Sequence, residues 1–197
     1  MLPSPPRLTG EHVTLEPLDL SHVEGVRAAV ADGELWKLWY AGIAHPSAMR
    51  QEVERRLALQ EGGTMLPFTV VQNVGPHSGT IVGMTSLMNI ALEHKRVEIG
   101  STWLAASCQG TAINAEAKLL LLRYCFDVLG TQRVELRTHA MNRQSRAAIE
   151  KLGATFEGVL RRHMILANGT TRDTAVYAIL DVDWPTVRAG LEHRLGT

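Results

Sequence analysis

Trp103-Leu104-Ala105-Ala106-Ser107-Cys108-Gln109-Gly110-Thr111-Ala112-Ile113-Asn114 is the stretch whose residue types and spacing come nearest to chemistry. A strand pattern ends, a loop of small residues follows, and a helical pattern begins. A helix start offers unpaired backbone N–H groups and the positive end of a dipole, so it attracts anions. Small residues let the main chain approach the anion closely. A phosphate-bearing ligand fits this arrangement, with an ordinary strand-to-helix connection as the alternative. The loop lacks the Lys-Ser/Thr ending of a P-loop, and no GxGxxG follows a first strand, so ATP and dinucleotides drop in rank. Cys108 beside a helix start has the setting of a low-pKa thiol, yet no His or Asp arrangement can be assigned to it as partner.

The composition narrows the choices. A chain of 197 residues with 45% hydrophobic and 20% charged residues can bury roughly 70% of its unfolded surface without disulfides or metals. Lys plus Arg and Asp plus Glu both number 20, which argues against a nucleic-acid binder, since such proteins carry a basic surplus. No apolar run approaches a membrane span and no signal peptide is evident, so a cytoplasmic protein without a membrane partner is expected. The eight histidines are scattered and show no metal-ligand spacing, so no metal is expected. Cys108 and Cys125 form no CxxC pair.

The loop needs elements to hold it. Glu11–Glu16 reads as a first strand stopped by Pro17, after a loose tail over residues 1–6 that contains Pro3, Pro5 and Pro6. Ser21 and Glu24 fit a capping box for a helix carrying Val23, Val26 and Val30. A second helix follows Ser47, with Met49, Val53 and Leu57 on one face, and stops at Gly62-Gly63. Strands at Pro67–Val74 and Thr80–Asn89 are joined by Gly75-Pro76-His77-Ser78-Gly79. Strand Arg96–Leu104 leads into a helix of about five turns, Ala112 to Leu129, whose stripe is Ile113, Ala117, Leu120, Tyr124 and Val128. In strand Arg133–Thr138, Val134 and Leu136 point inward and Arg133, Glu135 and Arg137 outward. A short helix from Ser145 to Leu152 ends at Gly153. Phe156–Leu166 and Thr171–Leu180 form a hairpin turned at Asn168-Gly169, and Asp183 caps a last helix with Trp184, Val187 and Leu191. The order predicts one α/β (α+β) domain over residues 7–197 with a mixed, mostly antiparallel twisted sheet flanked by helices.

The pattern around the loop resembles the GNAT N-acetyltransferases, in the branch typified by the RimJ/RimL ribosomal-protein N-acetyltransferases. That family's pyrophosphate loop, Gln/Arg-x-x-Gly-x-Gly/Ala, corresponds to Gln109 to Asn114. Its Glu-Ile-Gly and Trp-Leu strand signature appears as Glu98-Ile99-Gly100-Ser101-Thr102-Trp103-Leu104. Asn114-Ala115-Glu116-Ala117-Lys118, Asn142-Arg143-Gln144-Ser145 and Glu150-Lys151-Leu152-Gly153 match as well. The resemblance spans about residues 7 to 181 and is strongest from 96 to 180. Two departures stand out: Ala112 and Asn114 replace smaller residues, and Ile149 stands where relatives often carry a Tyr acid. Ala112 is acceptable only if its φ is negative.

The resemblance implies a sheet whose central strands 96–104 and 133–138 splay, with the pantetheine arm of acetyl-CoA in the gap. It implies cofactor contacts from Trp103, Leu104, Gln109, Gly110, Thr111, Ala112, Ile113, Asn114, Asn142 and Ser145. Glu98 falls at the position of the general base in histone-type relatives; a solvated carboxylate paired with Lys95 or Arg96 is the other reading. Asn142 also suits a helix N-cap, and Ser145 is chosen to hydrogen-bond the leaving thiolate, although it too can be a structural cap. Trp36, Trp39 and Tyr40 are expected at the acceptor cleft or in the core, with Arg161, His163 and Asp173 as weaker acceptor-side choices and Tyr177 as core. The implied activity is direct acetyl transfer from acetyl-CoA to a primary amine, such as a protein N-terminal α-amine. A small-amine acetyltransferase and a non-catalytic acyl-CoA sensor are the alternatives, and a homodimer is compatible with the branch.

Overall fold

The computed structural model describes residues 4–75 and 77–196; the expectations for Pro3 and Pro76 fall outside them. Val13 and Leu15 are fully buried in a strand at Val13–Pro17 (β2), two residues later than the sequence pattern suggests. Glu11 and His12 instead turn the chain back to a short strand at Leu8–Thr9 (β1), which the sequence pattern did not reveal. Helices Val23–Ala31 (α1) and Met49–Glu61 (α2) follow, then strands Met65–Gln72 (β3), Ile81–Ala91 (β4) and Arg96–Leu104 (β5). Helix Ala112–Arg123 (α3) leads to strand Arg133–His139 (β6), helix Arg143–Glu150 (α4), strands Thr155–Ile165 (β7) and Thr171–Leu180 (β8), and helix Trp184–Leu195 (α5). The strands form one sheet in the order β1-β2-β3-β4-β5-β6-β8-β7, antiparallel at every step except β5 beside β6.

Strand alternation assigns the two faces. Ser86 of β4 meets Arg56 of α2, whereas its neighbour Thr85 meets Lys118 of α3. Adjacent strand residues point to opposite sides, so α2 and α3 cover opposite faces of the sheet. Leu87, Phe68 and Met84 on the central strands are fully buried, as is Leu121 of α3. Each such side chain contributes about 1.5–3 kcal/mol of transfer free energy. No helix among the described residues is long and apolar enough to cross a membrane.

Four local expectations are corrected. The capping box before α1 is made by Asp19 and His22, not Ser21 and Glu24: Asp19 Oδ1 accepts from Ser21 N, and His22 Nδ1 accepts from Asp19 N. Asp183 starts α5 without a side-chain cap bond. The long helix does not run regularly to Leu129; from Tyr124 to Val128 it widens into a π-turn, with Leu129 N bonded to Tyr124 O. The extra residue in that turn carries Val128 off the apolar stripe, leaving it 69% exposed. Glu135, expected to point to solvent, is buried between Arg133 and Arg137.

Candidate active site

The loop before α3 is fastened from beneath. Ala106 N donates to Asp32 O, while Ser107 N and Oγ both donate to Asp32 Oδ2 at 3.1 and 2.5 Å. Gln109 Nε2 donates to Leu104 O at 3.0 Å, which folds the loop back on β5. Cys108 is buried, with Sγ 3.5 Å from Gln72 Oε1, a packed position rather than a nucleophile's. Thr111 is the N-cap of α3 and its hydroxyl takes Ile113 N, while the other first-turn amides have no intrahelical acceptor. The left-handed turn falls on Gly110 at φ +76°, and a Cβ there would meet nothing within 4 Å. Ala112 is not among the positive-φ residues, so its methyl is accommodated. Open space over an unpaired helix start suits a pyrophosphate, which can draw on both the amides and the dipole.

Above this loop the sheet parts. The parallel ladder between β5 and β6 consists of Arg96↔Arg133, Val97↔Val134 and Glu98↔Glu135 and ends there. On its other side β5 keeps pairing with β4 through a bulge, where the register shifts between Met84/Trp103 and Ser86/Gly100. Ser101 sits in this bulge at φ +49°. A bulge bends its strand and re-aims the residues beyond it, and here it leaves Ser101–Leu104 beside the gap. Arg56, buried on the α2 face, holds the bend by donating to Ser101 O at 3.2 Å and Ser86 Oγ at 3.1 Å.

Glu98 lies at the point where the ladder ends, 6% exposed, on the α2 face. Asn89 Nδ2 donates to its Oε2 at 2.8 Å, and Arg137 Nε stands 3.5 Å from the same oxygen. Burial holds the Glu98 carboxyl above the ordinary carboxylate range, against the opposing pull of Asn89 and Arg137. The alternative of a solvated carboxylate paired with Lys95 or Arg96 is therefore corrected: Arg96 pairs with Glu135. A buried carboxylate with a raised pKa has the properties of a general base near neutral pH.

Glu98, Arg137 and His139 share one face, since β5 and β6 pair Glu98 with Glu135 and alternation carries that side on to residues 137 and 139. His139 is buried, and its Nδ1 accepts Met141 N at 3.1 Å, so the proton of the neutral ring is on Nε2. Burial, with Arg172 nearby, lowers its pKa. Trp39 packs edge-on to His139, with ring centroids 5.2 Å apart, and Tyr40 lies tilted at 6.0 Å. Asn168 at the tip of the β7–β8 hairpin ties this segment down by donating to Trp39 O at 3.1 Å. A cleft of about 460 Å³ opens here, lined by Trp39, His139, Met141, Arg161, Thr171 and Asp173 among others. Trp36 goes elsewhere, packing edge-on against His45 at 5.2 Å. His163 bonds Thr174, and Tyr177 is core, its hydroxyl donating to Glu150 and accepting from Arg146.

Asn142 is the N-cap of α4, its Oδ1 accepting Ser145 N at 3.0 Å. The helix therefore starts at Arg143, two residues before the sequence pattern puts it. Ser145 is half-buried in the first turn, and Gln144 joins α4 to the loop through Gln109 Oε1 at 2.9 Å. Sequence reasoning missed Arg56, Asn89, Lys118 and His139. Only His139 carried a signal, as the next outward position after Arg133, Glu135 and Arg137.

The opening thus has an unpaired helix start on one face of the sheet and a buried carboxylate on the other. The family match, together with this arrangement, makes the protein an acyltransferase. The chain belongs to the GNAT acetyltransferases, the Acetyltransferase (GNAT) domain matching residues 12–155. It is 32% identical over 108 residues to YdaF of Bacillus subtilis, named as a candidate ribosomal N-acetyltransferase; the match spans 55% of this chain and 58% of that protein. A structure from T. thermophilus, described as a candidate acetyltransferase, is 36% identical with a TM-score of 0.85, covering 99% of this chain and 100% of that one. Mycobacterium smegmatis RimJ, solved in complex with CoA-disulfide, shares the fold at 23% identity and a TM-score of 0.80, covering 98% of this chain and 95% of that one.

Proposed function

We propose that the protein moves the acetyl group of acetyl-CoA to a primary amine, with a protein N-terminal α-amine as the leading acceptor, by direct attack in a ternary complex. The observation that carries this reading is the gap between β5 and β6, with the α3 start on one face and Glu98 on the other. The pyrophosphate lies on the amides of Gly110 to Asn114, held in place by Gln109, and the pantetheine arm runs along Trp103 and Leu104. Backbone N–H groups at the open edge of β5 polarise the thioester oxygen. Asn142, its Oδ1 engaged by Ser145 N, turns its amide nitrogen to the arm. Ser145 hydrogen-bonds the leaving sulfur.

The acceptor enters through the Trp39–His139 cleft. An α-amine has a pKa of about 8 and a lysine about 10.4, so the α-amine needs the smaller change to become a nucleophile. Glu98 takes its proton, directly or through one water. Trp39 and Tyr40 form the cleft wall, and Trp36 supports the segment from behind. Residues 7–197 act as one catalytic unit, in the cytoplasm where acetyl-CoA is available.

Thiol release from acetyl-CoA, measured across N-terminal peptides and small amines, tests the reading. Turnover with peptides carrying a free α-amine is expected. Turnover with small amines alone would move the assignment to a small-molecule enzyme, and coenzyme A binding without turnover on any acceptor would support a sensor.

A further inference from the structure

Ile149 leaves open which group gives a proton to the departing thiolate. A serine hydroxyl such as that of Ser145 can hydrogen-bond a thiolate, but an alcohol is a far weaker acid than a thiol and cannot protonate it unaided. A hydroxyl backed by an acid can. On the α3 face, Lys118 is buried, and its Nζ donates to Thr102 Oγ1 at 2.8 Å and, at a longer 3.4 Å, to Thr85 Oγ1. The two threonine hydroxyls are 2.8 Å apart. Thr102 is exposed and lies four residues past the end of the β5–β6 ladder, so it is the accessible end of this buried chain, on the strand that borders the gap. Among the described residues its other acceptor is Gly100 O at 3.4 Å, a weak bond easily given up.

We propose that Lys118 and Thr102 form a proton relay that delivers a proton to the sulfur leaving in acetyl transfer. The inference rests on the acetyl-CoA reading above. As the carbon–sulfur bond breaks, its electron pair stays on sulfur. Thr102 Oγ1 passes its proton to that sulfur and takes one from Lys118 Nζ, leaving a neutral amine. After the product departs, water recharges Lys118 through the exposed hydroxyl.

The energetics run in the required direction. Burial alone lowers the Lys118 pKa to about 7. Thiols titrate near about 8.5, so the proton moves downhill. Facing Lys118 are the neutral Thr85 of β4 and Thr102 of β5. No charged neighbour contributes to the shift; Glu116 of α3 is taken by the amides of Glu11, His12 and Val13, and Arg56 of α2, on the opposite face, by Glu52, Ser86 and Ser101.

Lys118→Met and Thr102→Val separate this role from a structural one. Both are expected to lower kcat roughly 10²–10⁴-fold while KM for acetyl-CoA stays within a few-fold. The parent is expected to lose kcat on the alkaline side as Lys118 loses its proton, and this fall should disappear in Lys118→Met. A lysine whose folded pKa is lowered costs stability below its unfolded pKa, so Lys118→Met should melt no lower than the parent at pH 7. A structural role predicts the opposite, a lower melting temperature with kcat retained in the folded fraction. Nitrogen NMR of Lys118 gives a readout independent of turnover. Its titration midpoint should rise when the sulfonate form of coenzyme A is bound, relative to the desulfo analogue, because only the former fixes a negative charge at the sulfur position beside Thr102. Equal midpoints, or unchanged kcat in Thr102→Val, overturn the relay. A parent enzyme that binds coenzyme A but turns over no amine overturns the acetyltransfer reading instead, and the NMR comparison still decides the relay.

Discussion

Glu116→Gln tests how helix α3 is anchored. The Glu116 carboxylate is buried in α3 and accepts three backbone N–H groups from the β1–β2 turn: Glu11 at 2.9 Å on Oε1, and His12 and Val13 at 2.7 and 2.8 Å on Oε2. A glutamine of the same shape has only one accepting atom. In its better orientation that atom serves His12 and Val13, while the new NH2 faces Glu11 N, donor against donor. A buried donor left without a partner costs about 1–3 kcal/mol. The two surviving bonds also lose their charge assistance, which roughly doubles such a bond. Together these give a loss of roughly 2–4 kcal/mol. At about 2–4 °C per kcal/mol for a domain of this size, the melting temperature should fall by roughly 4–16 °C. Calorimetry against the parent measures it, with coenzyme A affinity of the folded variant within a few-fold of normal below the transition. A melting temperature within a degree of the parent would refute the anchoring argument.

Other outcomes follow from the same geometry. Glu98→Gln should lower turnover by roughly 10²–10⁴-fold with little change in coenzyme A affinity; full activity would remove Glu98 as the base. Because the folded-state pKa of Glu98 is raised, the folded state holds this proton more tightly than the unfolded state. Stability therefore declines as pH rises from the unfolded pKa through the folded one. Chemical unfolding at pH 7 should accordingly find Glu98→Gln at least as stable as the parent, and a destabilised variant would contradict the burial argument. Gly110→Ala puts a methyl at φ +76°, costing about 1–2 kcal/mol and weakening coenzyme A binding by calorimetric titration; unaltered binding would separate the loop from the cofactor. Trp39→Ala should raise KM for the acceptor about 10-fold, worth about 1.4 kcal/mol, and leave KM for acetyl-CoA unaltered, whereas the reverse pattern would place the acceptor elsewhere.

Much of the fold was legible because burial writes a period into the chain. Val134 and Leu136 alternate, Met49 and Val53 recur at helical spacing, and Gly153 ends a helix at a left-handed turn. The loop at Gln109–Asn114 was legible for a second reason: a helix start binds anions through its backbone, which needs only small residues in order. Capping was read less well. Asp19 and Ser21 are both good caps, and which one serves depended on His22 reaching back to Asp19 N.

The sequence by itself determined the order of elements from β2 onward, the small-residue loop before α3, the resemblance to the family and the placing of Glu98 on a strand beside it. Local periodicity and backbone chemistry depend on near neighbours, and a sequence lists those in order. Only the tertiary structure decided that Glu98 is buried, that Arg56 and Lys118 reach the β5 bulge from opposite faces, and that Trp39 meets His139 while Trp36 does not. Lys118 and Thr102 are 16 residues apart, and Trp39 and Asn168 are 129 apart. Proximity at such separations is set by how the sheet twists, bulges and parts, and the properties that matter for catalysis, burial and a neighbour's charge, exist only after that packing has formed.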